Sequence, residues 1–309
     1  MIDRMEPAFG EAGTLSGLSG MTIDWLFTAP GFGLTRWDCS QGRQEMSEER
    51  RQSWHVISFV HAGAFVLHAR GRSTVIDSTA VLLYNPAAPF RSEHPFGCCD
   101  HGSAISVRQE TMLEVMADYD PTAAERPGAL FPQPYAFGLS RAYLRQRLLI
   151  QRLRGKEPQD PMALEAAVLR ILGEVAEGCS RLRDRPAPRR RDLDRARRDY
   201  VEDTKALLQR SVGEKLRLTD IGRALHVSTF HLCRVFKEET GVPIHRYLNR
   251  LRLRQALEIL LAGEEDLSEL ALSLGFASHS HFTNAFRKEL GMTPREVRRL
   301  RNGGAALRA

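Results

Sequence analysis

A chain of 309 residues, 42% hydrophobic and 27% charged, has the length for two separate cores and too many apolar side chains for a disordered protein. Its net charge of +6 is unevenly placed, with 17 Lys and Arg against 21 Asp and Glu in residues 1–180 and 27 against 17 in residues 181–309. Only the C-terminal part is suited to a polyanion, and five cysteines, odd in number and without a Cys-x-x-Cys pair, argue against a secreted disulfide framework.

Residues 1 to about 20 are aperiodic and contain Gly and Ser, as expected of a loose arm. Met1 to Pro7 has neither the basic nor the apolar region of a signal peptide, and no run of about 18 uncharged apolar residues follows, so a cytoplasmic protein is expected. From Met21 to about Val107, short apolar runs are separated by turn residues. Trp54 to Val60, Phe65 to Ala69, Ser73 to Ile76 and Ala80 to Tyr84 are strand-length and rich in β-branched or aromatic residues. Ala62-Gly63, Arg70-Gly71-Arg72, Asp77-Ser78 and Asn85-Pro86 bound them. Many short strands at close spacing predict a sandwich or barrel.

Two groups within this region carry the residue types of a metal or redox site. His55 and His61 lie six apart and His68 in the next strand, but no His-x-His pair with a following Glu occurs, and half-buried strand histidines are the plain alternative. Cys98 and Cys99 lie between His94 and His101, with Cys39 available from another strand. Adjacent strand cysteines point to opposite faces, and the ordinary role of such a residue is that of a small buried apolar side chain. No nucleophile with an assignable base emerges, so neither an enzyme nor a cofactor is expected; a metal-dependent enzyme or a thiol or metal sensor fused to the basic C-terminal part is the alternative.

After Pro134 the period changes. Leu139 to Leu153 and Pro161 to Leu182 predict two amphipathic helices with an apolar stripe to cover, either within the same chain or against a second copy. Arg181 to Asp199 contains Arg-Pro-Ala-Pro and then Arg189-Arg190-Arg191 without a sustained apolar pattern, the signature of a linker whose arginines are available to phosphates. A helix is expected between Asp192 and Leu208, with Tyr200, Val201, Ala206, Leu207 and Leu208 turned inward.

The last hundred residues contain an internal repeat. Leu232, Phe236, Lys237 and Gly241 recur fifty places on as Phe282, Phe286, Arg287 and Gly291, while Leu218, Thr219, Ile221 and Leu225 recur forty-nine places on as Leu267, Ser268, Leu270 and Leu274. Each copy reads as helix, turn, helix: Thr219 and Ser268 are placed to cap the first helix, Ser228 and Ser278 the second, and Gly241 and Gly291 to end it in a left-handed conformation. At a hundred degrees per residue, Leu232, Val235, Phe236 and Glu239 point one way, and Phe230, Cys233, Arg234 and Lys237 the other. In the second copy Phe282, Ala285 and Phe286 point inward, and Ser280, Thr283, Asn284 and Arg287 outward. Between the copies Ile244 to Leu261 holds no Gly or Pro, so it reads as one strut, which with its turns would set the two reading helices about 34 Å apart, one turn of B-DNA.

Gly275-Phe276, Phe282, Phe286, Arg287, Gly291, Thr293 and Pro294 at these spacings resemble the signature of the AraC/XylS family of bacterial transcription regulators, over about Val201 to Arg299. Thr293-Pro294-Arg295-Glu296 also has a local reason, a capping box with Pro at the first helical position. Two positions depart from the family pattern: Val297 stands where an aromatic residue is usual and His226 where Gly is frequent. The strand order ahead of it resembles the cupin-type effector domains of that family, with Asp77-Ser78-Thr79 in place of the common Pro-Gly-Asp turn.

The resemblance implies an α+β chain: a cupin-like β-barrel with two following helices in residues 1–182 for sensing and dimerisation, an Arg-rich linker in 183–199, and an all-α DNA-binding domain with two helix-turn-helix units in 200–300. It implies double-stranded DNA as partner, with a small-molecule effector, a homodimer and RNA polymerase as further partners and no membrane. Base reading is expected from Phe230, Cys233 and Arg234 in the first copy and from His279, Ser280, Thr283 and Asn284 in the second, Arg234 suiting guanine and Asn284 adenine. Lys237 and Arg287 are expected near phosphates.

Overall fold

The computed structural model describes residues 21–39, 46–97, 100–155, 159–183, 195–214, 216–263 and 266–301. The chain falls into two compact units, Met1–Arg185 and Pro186–Ala309. The expected N-terminal arm, Cys98 and Cys99, and most of the linker lie outside the described residues.

The described residues of the first unit form nine antiparallel strands: β1 (Met21–Ala29), β2 (Phe32–Cys39), β3 (His55–Ala62), β4 (Phe65–Ala69), β5 (Arg72–Ile76), β6 (Ala80–Tyr84), β7 (Phe90–Glu93), β8 (Asp100–Val107) and β9 (Tyr135–Phe137). They form a six-stranded sheet in the order β1-β2-β8-β3-β6-β9 and a three-stranded sheet in the order β5-β4-β7. Among the described residues the cupin-like arrangement is thus two facing sheets whose hydrogen bonding does not close into one barrel. Trp37, Val56, Val60, Leu82, Tyr84 and Ala104 of the large sheet share one core with Phe65, Leu67, Ile76 and Phe90 of the small one.

Helix α1 (Gln109–Ala117) lies between β8 and β9, and α2 (Ser140–Arg154) and α3 (Pro161–Arg183) follow β9. The other face of β3 packs on α2, where the Phe59 and Tyr143 rings meet edge to face at 6.2 Å. Burial on both faces explains why His55 to Val60 reads as a nearly continuous apolar run rather than an alternating one. Turn chemistry follows the residues. Arg70 and Gly71, at φ 52° and 71°, form the two-residue turn between β4 and β5 with both central residues left-handed. At the position of the absent Pro-Gly-Asp turn, Asp77 Oδ1 accepts from the backbone N–H of Thr79 at 2.8 Å and its hydroxyl at 2.7 Å.

The second unit consists of α4 (Arg195–Arg210), α5 (Leu218–Ala224), α6 (Thr229–Thr240), α7 (Ile244–Ala262), α8 (Leu267–Ser273), α9 (His279–Leu290) and α10 (Pro294–Arg301). The strut α7 spans about 28 Å at 1.5 Å per residue. Both α6 and α9 pack against it. Leu232, Val235 and Phe236 from α6, Tyr247, Leu251 and Leu257 from α7, and Phe282 and Phe286 from α9 are buried, with Phe236 edge-on to Tyr247 at 5.4 Å. Val297, where an aromatic residue is usual, is fully buried and holds α10 in place. The inward face of α4 differs from expectation: Val201 and Leu208 are buried, but Thr204 and Lys205 lie between them rather than Ala206 and Leu207. Positions 201, 204, 205 and 208 form one helical stripe, and the Thr204 hydroxyl donates to the Tyr200 carbonyl at 2.6 Å while the Lys205 ammonium meets Glu202 at 3.0 Å.

A candidate nucleic-acid interface

Each reading helix is delimited by its own sequence. The Ser228 hydroxyl accepts from the N–H of His231 at 3.3 Å, and the Ser278 hydroxyl from that of His281 at 3.2 Å. Gly241 and Gly291, at φ 76° and 85°, return their N–H groups to the carbonyls of Lys237 and Arg287. The expected caps of the shorter helices are corrected by the structure. Thr219 lies inside the first turn of α5, which begins at Leu218 with no side-chain cap, and Asp266, not Ser268, caps α8 by accepting from the N–H groups of Ser268 at 2.8 Å and Glu269 at 3.0 Å. Helices starting two residues sooner move Thr219 and Ser268 to second position, where a hydroxyl no longer reaches the free N–H groups.

Between these caps one side of each helix is packed and the other open. On α6, Phe230 is 80% exposed, Arg234 and Lys237 are exposed, and Cys233 is half-buried. The Arg234 guanidinium faces Glu238 at 3.5 Å, one turn along. That pair is solvated and weak, so the guanidinium is available to exchange its partner. On α9, Ser280, Asn284 and Arg287 are exposed, while His279 and Thr283 are half-buried. The Thr283 hydroxyl oxygen is enclosed without a hydrogen-bond partner, so this residue offers mainly its methyl group. On each copy one open face therefore carries a guanidinium or an amide, with a cation one turn nearer the C-terminus.

The arginines of α7 escaped the sequence reading because an apolar-period pattern passes over buried cations. Arg250 meets Glu289 of α9 at 2.7 Å with both side chains largely buried. Arg252 is buried and donates to the carbonyls of Val212, Glu214 and Gly275. The capping box that opens α10 is reciprocal: the Thr293 N–H donates to Glu296 at 2.6 Å and the Glu296 N–H to the Thr293 hydroxyl at 3.3 Å.

In the first unit the singled-out histidines take separate hydrogen-bond partners, although the His61 and His101 rings stand 6.1 Å apart. His55 is buried with Nε2 3.0 Å from the Pro127 carbonyl, and burial pushes its pKa down to about 4. His61 is enclosed with Ser103 and Gln146, and burial, reinforced by Arg147, holds its pKa well below the usual range. His68 lies between Ser73 at 2.8 Å and Glu93 at 3.2 Å, His94 pairs with Asp100 at 2.5 Å, and Cys39 is buried. Among the described residues no three His, Cys, Asp or Glu side chains gather into a potential metal site, and no helix is long and apolar enough to cross a membrane.

The family model of a helix-turn-helix domain matches residues 221–300. The chain is 43% identical over 79 residues to the HTH-type transcriptional activator RhaS of Escherichia fergusonii, covering 26% of this chain and 28% of that one. It is 35% identical over 100 residues to the HTH-type transcriptional regulator ArgR of Pseudomonas aeruginosa, covering 32% and 30%. A solved transcriptional regulator structure from Chromobacterium violaceum, described as of AraC-type DNA-binding domain-containing proteins, is 28% identical with a TM-score of 0.33, over 36% of this chain and 100% of that one. The chain spans less than a third of the length of these curated relatives. Signature, local geometry and matched relatives coincide on the same stretch, residues 221–300, which matches a helix-turn-helix domain.

Proposed function

We propose that the chain is a sequence-specific transcription regulator that reads two adjacent major grooves of double-stranded DNA. The observation that carries this reading is the repeated division of α6 and α9 into a buried apolar side on the strut and an open side bearing Phe230, Arg234 and Lys237 in one copy and Ser280, Asn284 and Arg287 in the other. Arg234 pairs with guanine and Asn284 with adenine, Phe230 and the Thr283 methyl touch thymine methyls, and Cys233, His279 and Ser280 make smaller contacts at base edges. Lys237 and Arg287 hold phosphates and release counterions, which makes binding salt-sensitive.

In this reading residues 1–182 sense a small-molecule effector and dimerise through α2 and α3, residues 183–199 link, and residues 200–300 bind DNA. Support for the sensor is a separate β-rich unit ahead of the helical one. It carries a concavity of about 450 Å³ lined by His68, Arg70, Arg72 and Arg91, with Glu49 as its acidic member, a lining that favours an acidic molecule. Contact with RNA polymerase belongs to the same reading. Selection of bound sequences from random duplexes by the full chain tests it: a shared bipartite motif is expected, and equal retention of all duplexes would refute it.

A further inference from the structure

Three chain segments meet at the middle of the strut. Arg252, buried in α7, donates Nε–H to the Val212 carbonyl at 2.9 Å, one terminal nitrogen to Glu214 at 2.8 Å and the other to Gly275 at 3.1 Å. Val212 and Glu214 belong to the segment that leads from α4 into the first helix-turn-helix copy, and Gly275 is the turn residue of the second. The two segments also touch directly: a Cβ on Gly213 would lie 3.3 Å from the Ser273 carbonyl at the end of α8. Gly275 makes room for the guanidinium, since a Cβ there would fall 2.7 Å from its Nη2.

The apolar contacts of α6 and α9 with α7 are non-directional and tolerate small rotations, whereas three hydrogen bonds from one planar group do not. Lysine cannot replace that fork, because its single nitrogen does not span carbonyls on two separate segments. We propose that Arg252 is a positioning residue that fixes the two reading helices relative to each other, so that the chain selects the number of base pairs between its two contacted patches as well as their sequence. This rests on the DNA-reading function proposed above.

A rigid pair of modules binds its second patch at high effective concentration only when the spacing fits, and a loosened pair loses both the gain and the selectivity. The test uses the full chain on its selected bipartite duplex and on duplexes with one base pair inserted or removed between the patches, with affinities from fluorescence anisotropy. One base pair turns the second patch by about a tenth of a turn, so the native chain is expected to lose about tenfold or more in affinity on the altered duplexes. R252M is expected to bind the matched duplex about tenfold more weakly and to lose most of the difference between matched and altered duplexes. R252K, which keeps the charge and most of the length, is expected to behave in the same direction and carries the comparison if R252M does not give a native helical spectrum. A folded variant that weakens on all duplexes equally, or a native chain indifferent to spacing, overturns the positioning role alone. A native chain that selects no sequence overturns the DNA reading, and the positioning role with it.

Discussion

The two helix-turn-helix copies have the same plan and different fastenings. In the second, α8 is capped by Asp266, the turn is a left-handed glycine seated against Arg252, and α9 is tied to the strut through Glu289 and Arg250. In the first, α5 begins at Leu218 with no side-chain cap from Arg217 before it, and the turn places His226, a residue with a Cβ, at φ 53° where the second copy has Gly275 at φ 74°. Equivalent backbones are thus reached by different means. The helices and their packed faces are common to both, and the copies part at the turns and caps, where one residue decides a local conformation. At its turn the first copy bears a local strain that the glycine of the second avoids.

The strongest way to break this contrast is Gly275→Ala. The new Cβ must adopt a left-handed backbone and displace a buried guanidinium from 2.7 Å, which together cost about 2–4 kcal/mol. All three tryptophans, Trp25, Trp37 and Trp54, lie in the first unit, so their fluorescence follows that unit, and loss of helical circular dichroism without a fluorescence change reports the second. A variant as stable as the native chain would show that the second turn is not held as described. On DNA, Arg234→Ala is expected to cost about 1–3 kcal/mol at the selected site and to relax one base position, with Asn284→Ala doing the same at a position in the other patch. Lys237→Ala is expected to weaken all duplexes about equally and to shallow the salt dependence by about one ion. Unchanged base preferences for Arg234→Ala would remove it from direct readout and leave the first copy a phosphate-holding element.

Much of this domain was legible because its signals are local. Ser228, Ser278, Gly241, Gly291 and the Thr293 to Glu296 box act on N–H and carbonyl groups within a few residues, so their sequence positions state their roles. The cap of α8 was misplaced by two residues because Asp266 and Ser268 are both good caps, and only the path of the chain chooses between them. The buried roles of Lys205 and Arg252 were invisible to apolar periodicity, since their partners are a carboxylate and three carbonyls rather than a core. In the first unit the strands from β3 to β6 were readable from composition. Strand β9 is three residues long and exists through pairing with β6, 53 to 57 residues earlier, and no local pattern encodes that pairing or the division of the described strands into two sheets.

A weaker effect separates the copies by pH. The N–H groups of Glu269 and Ser268 hold the Asp266 carboxyl below its usual range, and the N–H and hydroxyl of Thr293 do the same for Glu296. A carboxylate depressed in the folded state contributes stability that is complete above its unfolded pKa and is lost as pH falls through the folded value. Acidification below about pH 4 is therefore expected to loosen α8 and α10. Asp266→Asn, which keeps a capping oxygen and removes the charge, should flatten the α8 part of this dependence in acid titrations followed by amide exchange at Ser268 and Glu269. An unaltered titration at those two amides would assign the acid sensitivity elsewhere.

The smallest expected effect sharpens the comparison most. At φ 53° the Cβ of His226 stands close to the neighbouring backbone, a cost that glycine does not bear, whereas glycine gives the unfolded chain more freedom to lose. The first term is about 1–2 kcal/mol and the second about 0.5–1 kcal/mol, so His226→Gly is expected to stabilise the second unit by about 0.5–1 kcal/mol. His226 is exposed and its N–H already returns to the Arg223 carbonyl, a bond that glycine keeps, so little side-chain interaction is lost to offset the gain. Chemical denaturation followed by helical circular dichroism measures it. A destabilised variant would mean that the imidazole contributes more than the backbone strain costs, and the first copy would then be fastened at its turn as firmly as the second.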